Sequence, residues 1–308
     1  MREPDGVLIL AGPTASGKTE LAIALAERFG AEIVGADSRQ IYRDMPIGTA
    51  APTAAQLARV PHHLVAFLDP HERYSAARYV RDARAAIDRI RSAGRRAIVA
   101  GGTGFYLRAL AGDVALDAAY DPVIRDRLAA EARAHPPEVL AAWLAALAPE
   151  RAAQIEPTDP YRVTRALEVA LAGRSAPPAA PFDDAQGRLP LPTLRAGGIP
   201  FVKLVLDIEP AVLMERIERR VDAMLAGGLL EEAERVGLDA VAADAVGYRE
   251  ALAFLAGWST RAELRAQLIR ATRRYAKRQA TWFRSEPGVV RVSAGECEAA
   301  ARERLGWA

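Results

Sequence analysis

The 308-residue chain has little cysteine, little lysine and no long apolar run. Its one cysteine, Cys297, excludes an intramolecular disulfide and is typical of a reducing compartment. No stretch approaches the length of apolar sequence that a membrane-spanning helix needs, and the first strand pattern begins too early to leave room for a signal peptide. We therefore expect a cytoplasmic protein with no membrane partner.

Only three of the 41 basic residues are lysines, whereas arginine and alanine are abundant. This bias is typical of a GC-rich genome, so the arginine content alone does not predict nucleic-acid binding. A formal net charge of +2, with 51% hydrophobic and 26% charged residues, is that of an ordinary globular protein. Nothing in the composition suggests an obligate dimer, and we expect a monomer.

A phosphate-binding loop spans residues 12–19, which read Gly-Pro-Thr-Ala-Ser-Gly-Lys-Thr between an apolar strand pattern and a helix pattern. The spacing matches G-x-x-x-x-G-K-[ST], in which backbone N–H groups and the N-terminus of the following helix bind phosphate oxygens. Lys18 is expected to contact a terminal phosphate, and the Thr19 hydroxyl to hold Mg²⁺. The loop predicts binding of a di- or triphosphate; it is shared by ATP-binding kinases, ATPases and other transferases.

Two further predicted strands end in residues with functional potential. Residues 32–37 read as a strand that ends at Asp37, and residues 96–100 as a strand that runs into Gly-Gly-Thr. Ligands of open parallel sheets collect at the carboxyl ends of strands, so Asp37 is expected to face the phosphate loop, either as a functional carboxylate or as a turn residue. Thr103 is a candidate contact to substrate or diphosphate, or part of a tight turn. The absence of an acid after the second strand counts against an ATP-driven motor or switch.

Residues 117–198 differ in character from the rest of the chain. They are alanine-rich with helical patterns and no convincing strand, and six prolines lie between residues 176 and 200. We predict an α/β core with a P-loop NTPase-like parallel sheet flanked by helices, formed by residues 1–116 and 199–308, and an all-α insertion at 117–198. Residues 43–70 are expected to form a loop, and the strand at 201–207 is the last one predicted.

Two basic helical patterns follow that strand. The first begins at Pro210 and carries three arginines, any of which could clamp a departing anion: Arg216, Arg219 and Arg220. The second, residues 261–284, has eight basic residues against one acid, with Tyr275, Trp282 and Phe283 interleaved. Such a stripe suits a nucleic-acid backbone and base stacking, the alternative being a helix that packs its aromatic residues inward.

Six motifs together resemble those of the tRNA dimethylallyltransferase family, in matching order over nearly the whole chain. They are residues 12–19, Ala-Asp-Ser-Arg-Gln-Ile-Tyr-Arg at 36–43, Ile-Gly-Thr-Ala at 47–50, Gly-Gly-Thr-Gly at 101–104, Ala-Val-Gly-Tyr-Arg at 245–249 and Lys-Arg-Gln-Ala-Thr-Trp-Phe at 277–283. The resemblance implies transfer of the five-carbon group of dimethylallyl diphosphate to N6 of the adenosine 3′-adjacent to the anticodon of tRNA. It implies a requirement for Mg²⁺ and no ATP as energy source.

The resemblance also implies roles for individual residues. Asp37 matches the general base and Arg220 the diphosphate clamp, and with Lys18, Thr19 and Thr103 they form the expected catalytic set. The diphosphate would be held by Gly12, Pro13, Thr14, Ala15, Ser16, Gly17, Lys18, Thr19 and Arg220. Contacts to the anticodon arm are implied for Asp37, Ser38, Arg39, Gln40, Thr103, Arg125, Tyr161, Arg162, Arg165, Gly247, Tyr248, Arg249, Lys277, Arg278, Gln279, Thr281, Trp282 and Arg284. The sequence departs from the family pattern at Pro46, where an acid is usual, and at Ala51, where a lysine is common.

Three alternative functions remain compatible with the phosphate loop. A small-molecule or nucleotide kinase would consume ATP. Prenyl transfer to free AMP or ADP would have little use for the helical insertion or the basic segment at 261–284. A nonenzymatic RNA-binding protein would leave Asp37 without a role.

Overall fold

The computed structural model of the chain describes residues 6–113, 122–175 and 199–307. Internal contacts divide the chain into two units, Met1–Val114 with Arg195–Ala308, and Ala115–Leu194. The described part of the second unit consists of helices and their connections. Most of the proline-rich tract predicted between residues 176 and 200 lies outside the described residues.

The first unit is built on one six-stranded sheet in which every neighbouring pair of strands is parallel. The order across the sheet is β3-β2-β4-β1-β5-β6. The strands are β1 Val7–Ala11, β2 Ala31–Gly35, β3 His62–His63, β4 Arg96–Gly101, β5 Phe201–Leu206 and β6 Val289–Val292. All five residues of β1 are buried, because helices cover both faces of a central parallel strand. The predicted fold class, a P-loop-like α/β sheet flanked by helices, is confirmed.

The helices follow the strands in the expected alternation. In chain order they are α1 Lys18–Phe29, α2 Pro46–Thr49, α3 Ala54–Arg59, α4 Ala76–Ser92, α5 Gly104–Ala111, α6 Pro122–Ala134, α7 Pro137–Leu147, α8 Pro149–Ala152, α9 Pro160–Ser175, α10 Pro210–Ala226, α11 Leu229–Val236, α12 Tyr248–Leu255, α13 Arg261–Arg284 and α14 Cys297–Leu305. Short 3₁₀ helices lie at Val241–Asp244 and Ala294–Glu296. None of the helices in the described ranges is both long and apolar enough to cross a membrane.

Two parts of the sequence-based prediction are wrong. Residues 43–70, predicted as a loop, contain α2, α3 and β3; Thr53 and Gln56 form a capping box that starts α3 despite the neighbouring prolines. The strand predicted as the last, β5, has a further neighbour in β6. A four-residue edge strand after a long helix carries too short a pattern to stand out in the sequence.

Two separate apolar clusters lie within the first unit. Leu8, Leu10 and Ile23 belong to the cluster that packs α1 against the sheet. Val221 and Leu268 belong to the cluster that joins α10, α11, α12 and α13. These four helices therefore share an apolar core of their own.

The second unit has its own core. It is formed by Leu128, Leu140, Leu144, Val163, Ala166 and Leu167, from α6, α7 and α9. A helical unit that buries a separate apolar cluster has the anatomy of an inserted domain.

Candidate active site

The turn from β1 to α1 is shaped to receive an anion. Gly17 has φ of 89°, and Ala15 has φ of 63°, which is uncommon for a residue with a Cβ and indicates backbone strain. The Ser16 hydroxyl is buried and has no hydrogen-bond partner among the described residues. Because buried polar groups are nearly always paired, this hydroxyl at the start of a helix suits a phosphate oxygen as its missing partner.

Lys18 points back over the same turn, and its Nζ donates to the carbonyl oxygen of Pro13 at 3.0 Å. Burial lowers the pKa of Lys18 to about 8; the charge of Asp37 opposes this shift, and the charge of Arg220 adds to it. In the absence of a bound anion the ammonium thus lies in surroundings that favour loss of its proton. A bound diphosphate would reverse that preference.

A cavity of about 900 Å³ opens beside the loop. Its walls come from the phosphate loop, the turn at residues 37–40, the end of α2, the segment 244–247, and one side each of α10 and α13. The cavity joins polar groups at the loop to apolar side chains that include Val221, Met224 and Leu268. It can hold an anionic group at one end and an apolar group beside it.

Asp37 lines this cavity two residues beyond the end of β2, as the strand-end argument predicts. Its Oδ1 accepts the backbone N–H groups of Arg39 at 2.9 Å and of Gln40 at 3.4 Å. Within the described ranges, no hydrogen bond to Oδ2 is seen. The turn interpretation of Asp37 is confirmed by the contacts of Oδ1, whereas its role as a functional carboxylate stays a prediction that the position of Oδ2 allows.

Two of the three arginines left open by the sequence line the cavity. Arg216 Nη1 donates to the carbonyl oxygen of Ser16 at 2.9 Å, and Arg220 Nη2 donates to that of Thr49 at 3.2 Å. The Arg220 Nε is buried without a partner among the described residues, and burial lowers the pKa of its guanidinium, an effect that the charge of Asp37 opposes. Arg219 is exposed and lies 3.6 Å from Glu215.

Comparisons with known proteins identify the family of the chain. The family model described as IPP transferase matches residues 40–286, which is most of the chain. The chain belongs to the IPP transferase family. The resemblance seen in the sequence motifs is thereby confirmed.

The relatives match over almost their full length. The tRNA dimethylallyltransferase of Anaeromyxobacter dehalogenans (strain 2CP-C) is 46% identical over 291 residues, covering 93% of this chain and 94% of that protein. That of Halorhodospira halophila (strain DSM 244 / SL1) is 44% identical over 300 residues, covering 94% and 93%. The solved structure of the tRNA isopentenylpyrophosphate transferase from Bacillus halodurans has a TM-score of 0.69 at 34% identity and covers 98% of this chain and 97% of that one.

Thr103, expected in the catalytic set of an IPP transferase, supports the turn that carries Asp37. Its Oγ1 accepts the backbone N–H of Ser38 at 2.9 Å and lies 3.3 Å from the Ser38 hydroxyl. Ser38 lines the cavity, whereas Thr103 does not, and its hydroxyl is occupied by the contacts to Ser38. Gly12 and Pro13 are buried at the base of the loop, and the residues from Thr14 to Thr19 line the cavity itself.

Two residues predicted to contact tRNA, Tyr248 and Gln279, are buried, and their side chains are hydrogen-bonded within the protein. Tyr248 is 0% exposed, and its hydroxyl donates to Glu232 Oε1 at 2.6 Å. Gln279 is 5% exposed; its Oε1 accepts the N–H of Thr14 at 2.8 Å, and its Nε2 donates to the carbonyl oxygen of Gly102 at 2.9 Å. Gln279 instead ties α13 to the phosphate loop and to the end of β4.

The remaining positions on α12 and α13 lie at the surface or at the cavity. Arg249, Lys277, Thr281 and Arg284 are exposed, while Gly247 and Arg278 line the cavity together with Arg39 and Gln40. The predicted aromatic platform is wrong for Phe283, which packs inward at 2% exposure. Trp282 is half-buried beneath the guanidinium of Arg108, whose Cζ lies 4.4 Å from the ring centroid.

Four residues that were predicted to contact tRNA lie in α6 and α9 of the helical unit. Arg125 lies in α6, and Tyr161 in α9 is 70% exposed. Arg162 lies 3.4 Å from Asp159, and Arg165 pairs with the buried Glu168 at 2.8 Å. Pairing of this kind fixes the direction of Arg165 at the surface of α9.

Sequence reasoning missed Asp244 as a cavity residue, and it named Tyr275 only as an aromatic residue of the basic segment. Asp244, in a 3₁₀ helix, pairs with both terminal nitrogens of Arg39, at 2.8 and 2.9 Å. Tyr275 lines the cavity from α13, and burial raises the pKa of its phenol, so the hydroxyl keeps its proton. Neither residue belongs to the six motifs, and only the packing of distant segments brings the two side chains to the cavity.

The site offers oxygen ligands that suit Mg²⁺ but no preformed cage. In residues 6–113, 122–175 and 199–307, no group of three or more His, Cys, Asp or Glu side chains could hold a metal ion. Mg²⁺ commonly keeps several waters and binds through one or two protein oxygens together with substrate phosphates. The Thr19 hydroxyl, which lines the cavity in the first turn of α1, fits that mode.

Replacing Gln279 with alanine should destabilise the protein by about 2 kcal/mol, because the Thr14 N–H and the Gly102 carbonyl oxygen lose their buried partners. Denaturant unfolding measures the change. Gln267→Ala, at a half-buried position of the same helix, serves as the matched control and should cost well below this amount. Equal losses for the two variants would show that Gln279 does not tie the loop to α13.

Proposed function

We propose that the protein transfers the dimethylallyl group of dimethylallyl diphosphate to N6 of the adenosine 3′-adjacent to the anticodon of tRNA, releasing diphosphate. The observation that carries this proposal is the single cavity shared by the phosphate loop, Arg220 and Asp37. At one side of that cavity the Arg220 Nε and the Ser16 hydroxyl have no partner among the described residues, and the carboxylate of Asp37, with an available oxygen, completes the cavity. A tRNA substrate is in keeping with a cytoplasmic location.

The cationic side of the cavity assists departure of the diphosphate. Adenine N6 is a weak nucleophile because its lone pair is delocalised into the ring, so the allylic carbon must become strongly electrophilic. As the C–O bond breaks, its electron pair passes to the diphosphate, where Lys18, Arg220 and the loop N–H groups are already in place. Mg²⁺ held by the Thr19 hydroxyl would neutralise part of the charge on the diphosphate oxygens.

Asp37 acts on the other reactant. Neutral adenine is too weak an acid to lose its N6 proton first, but that proton becomes acidic as the C–N bond forms. The available Oδ2 of Asp37 can accept a hydrogen bond from N6, which orients the amine, and then receive its proton. Oδ1 is held by the turn, so the carboxylate approaches the amine in a fixed orientation.

The exposed face of α13 is the candidate surface for the tRNA backbone. Its exposed basic residues are Arg261, Arg270, Arg273, Arg274, Lys277, Arg278 and Arg284. Arg265 is instead neutralised by Asp222, through contacts of 2.6 and 2.9 Å. Extruding the target base costs less in an anticodon loop than in a duplex, so a backbone grip beside the cavity matches the proposed substrate.

The proposed activity is tested by incubating the protein with dimethylallyl diphosphate, Mg²⁺ and total tRNA and then weighing the digested nucleosides. We expect an adenosine that carries one added five-carbon unit. Parallel reactions offer AMP in place of tRNA, and ATP in place of the prenyl donor. A product only with AMP, or consumption of ATP without a modified nucleoside, would contradict the proposal.

Asp37→Asn should lower turnover by about 100-fold or more, since the amide keeps an oxygen for the turn but cannot accept the N6 proton. Single-turnover kinetics measure the rate, and direct binding measures the affinities for tRNA and for an unreactive diphosphate ester. Both affinities should stay close to those of the wild type. A parallel loss of binding and rate would assign Asp37 to the structure of the turn.

The affinity for an unreactive diphosphate ester should fall as the pH rises above 8. The empty site has a Lys18 pKa of about 8, and the bound anion favours the ammonium, so binding above that pH takes up a proton. Calorimetry at pH 8.5 in two buffers of different ionisation enthalpy measures the uptake. Lys18→Arg keeps its charge and should abolish the uptake; an equal uptake by both proteins would contradict the assignment.

Reversing the charge at Arg274 and Lys277 together should weaken tRNA binding and flatten its dependence on salt, because fewer counterions are released. A titration of affinity against salt concentration measures both effects. The matched control reverses the exposed Arg291 and Arg304, which changes net charge equally on β6 and α14. Identical salt slopes for the two double variants would remove the α13 face from the interface.

A further inference from the structure

A buried carboxylate outside the cavity holds one of its walls in place. Glu232 lies in α11 and is 1% exposed. Its Oε2 accepts the N–H of Ile47 at 2.9 Å, and its Oε1 accepts the N–H of Gly48 at 2.7 Å and the hydroxyl of Tyr248 at 2.6 Å. Burying a carboxylate is costly unless such donors satisfy it, so these contacts are strong and specific.

The segment that Glu232 holds, residues 47–50, presents its carbonyl oxygens to the cavity side. Thr49 O accepts Arg220 Nη2 at 3.2 Å and Gln40 Nε2 at 3.2 Å, and Ala50 O accepts Gln40 Nε2 at 3.0 Å. One short stretch of backbone therefore receives a carboxylate on its N–H groups and a cavity arginine on its carbonyl oxygen. The two contacts lie on the consecutive residues Gly48 and Thr49.

The segment has little freedom to adjust. A Cβ at Gly48 would lie 2.5 Å from the ring of Tyr248, so the backbone there is packed directly on the tyrosine. Ala50 has φ of 46°, an uncommon conformation for a residue with a Cβ, which the surrounding contacts must maintain. A change at Glu232 would therefore be passed on to Thr49 and not absorbed by a flexible loop.

We propose that Glu232 is a positioning residue for the diphosphate site, which fixes Thr49 O and through it the guanidinium of Arg220. With Nη2 held by Thr49, Arg220 keeps a defined direction, and its buried Nε, which has no partner in the described part of the chain, remains for the anion. This inference rests on the proposed function, since the ligand is the diphosphate group of the prenyl donor. It adds to the site a residue that never touches the ligand.

Glu232→Gln tests the inference, because its NH₂ group would face at least one of the two backbone N–H donors. The affinity for an unreactive diphosphate ester should fall about tenfold, while the affinity for tRNA stays within about twofold. The matched control is Glu231→Gln, an exposed neighbour on the same helix, which should bind the ester as the wild type does. Unchanged ester binding by folded Glu232→Gln would overturn the inference.

A double-mutant cycle with Arg220→Ala separates positioning from general stability. If Glu232 acts through Arg220, then Glu232→Gln should change ester affinity by less than about twofold once Arg220 is absent. A full tenfold loss in that background would assign Glu232 a purely structural role. Wild-type protein that binds no diphosphate ester would instead contradict the proposed function itself, and the inference with it.

Amide hydrogen exchange supplies a second test that needs no variant. Because the Ile47 and Gly48 N–H groups are linked to Arg220 through one residue, ester binding should slow their exchange several-fold. The N–H of Leu57 in α3, which donates to the carbonyl oxygen of Thr53, should exchange at an unchanged rate. Equal exchange of Ile47 and Gly48 with and without the ester would overturn the inference even if Glu232→Gln fails to fold.

Discussion

A concentration of positive charge in a partly buried cavity is the constraint on which the rest of this structure depends. Lys18, Arg216 and Arg220 converge on the phosphate loop, and Asp37 is the carboxylate whose charge acts on both Lys18 and Arg220. Burial disfavours the charged forms of Lys18 and Arg220, and it lowers the pKa of Lys18 to about 8. The arrangement becomes favourable once an anion binds, and under the proposed function it would stabilise the charge that develops as diphosphate departs.

Residues outside the cavity hold this arrangement in place through hydrogen bonds between their side chains and the backbone. Gln279 joins the phosphate loop to the end of β4, Thr103 supports the turn of Asp37, and Glu232 holds the segment that orients Arg220. Each of them satisfies backbone groups that the turns leave unpaired. A catalytic constellation of this kind needs such support, because a displacement of one group weakens its action on the reacting atoms.

The features that could be predicted from the sequence are those encoded within a short stretch. The phosphate loop, the α/β alternation and the helix at Arg261–Arg284 depend on local spacing, apolar periodicity and capping residues. The roles of Gln279 and Glu232 could not be read in this way, because their partners Thr14 and Gly48 lie 265 and 184 residues away in the chain. Tyr248 and Gln279 belong to sequence motifs, yet their buried side chains support the segments around the cavity and do not line it.

The most direct test of the central claim is a crystal structure of the protein with an unreactive dimethylallyl diphosphate analogue and a tRNA anticodon stem-loop. The account predicts the diphosphate on the phosphate loop and Arg220, with adenine N6 about 3 Å from Asp37 Oδ2. The apolar tail would lie between them. A diphosphate bound elsewhere, or Asp37 turned away from an extruded adenine, would contradict it.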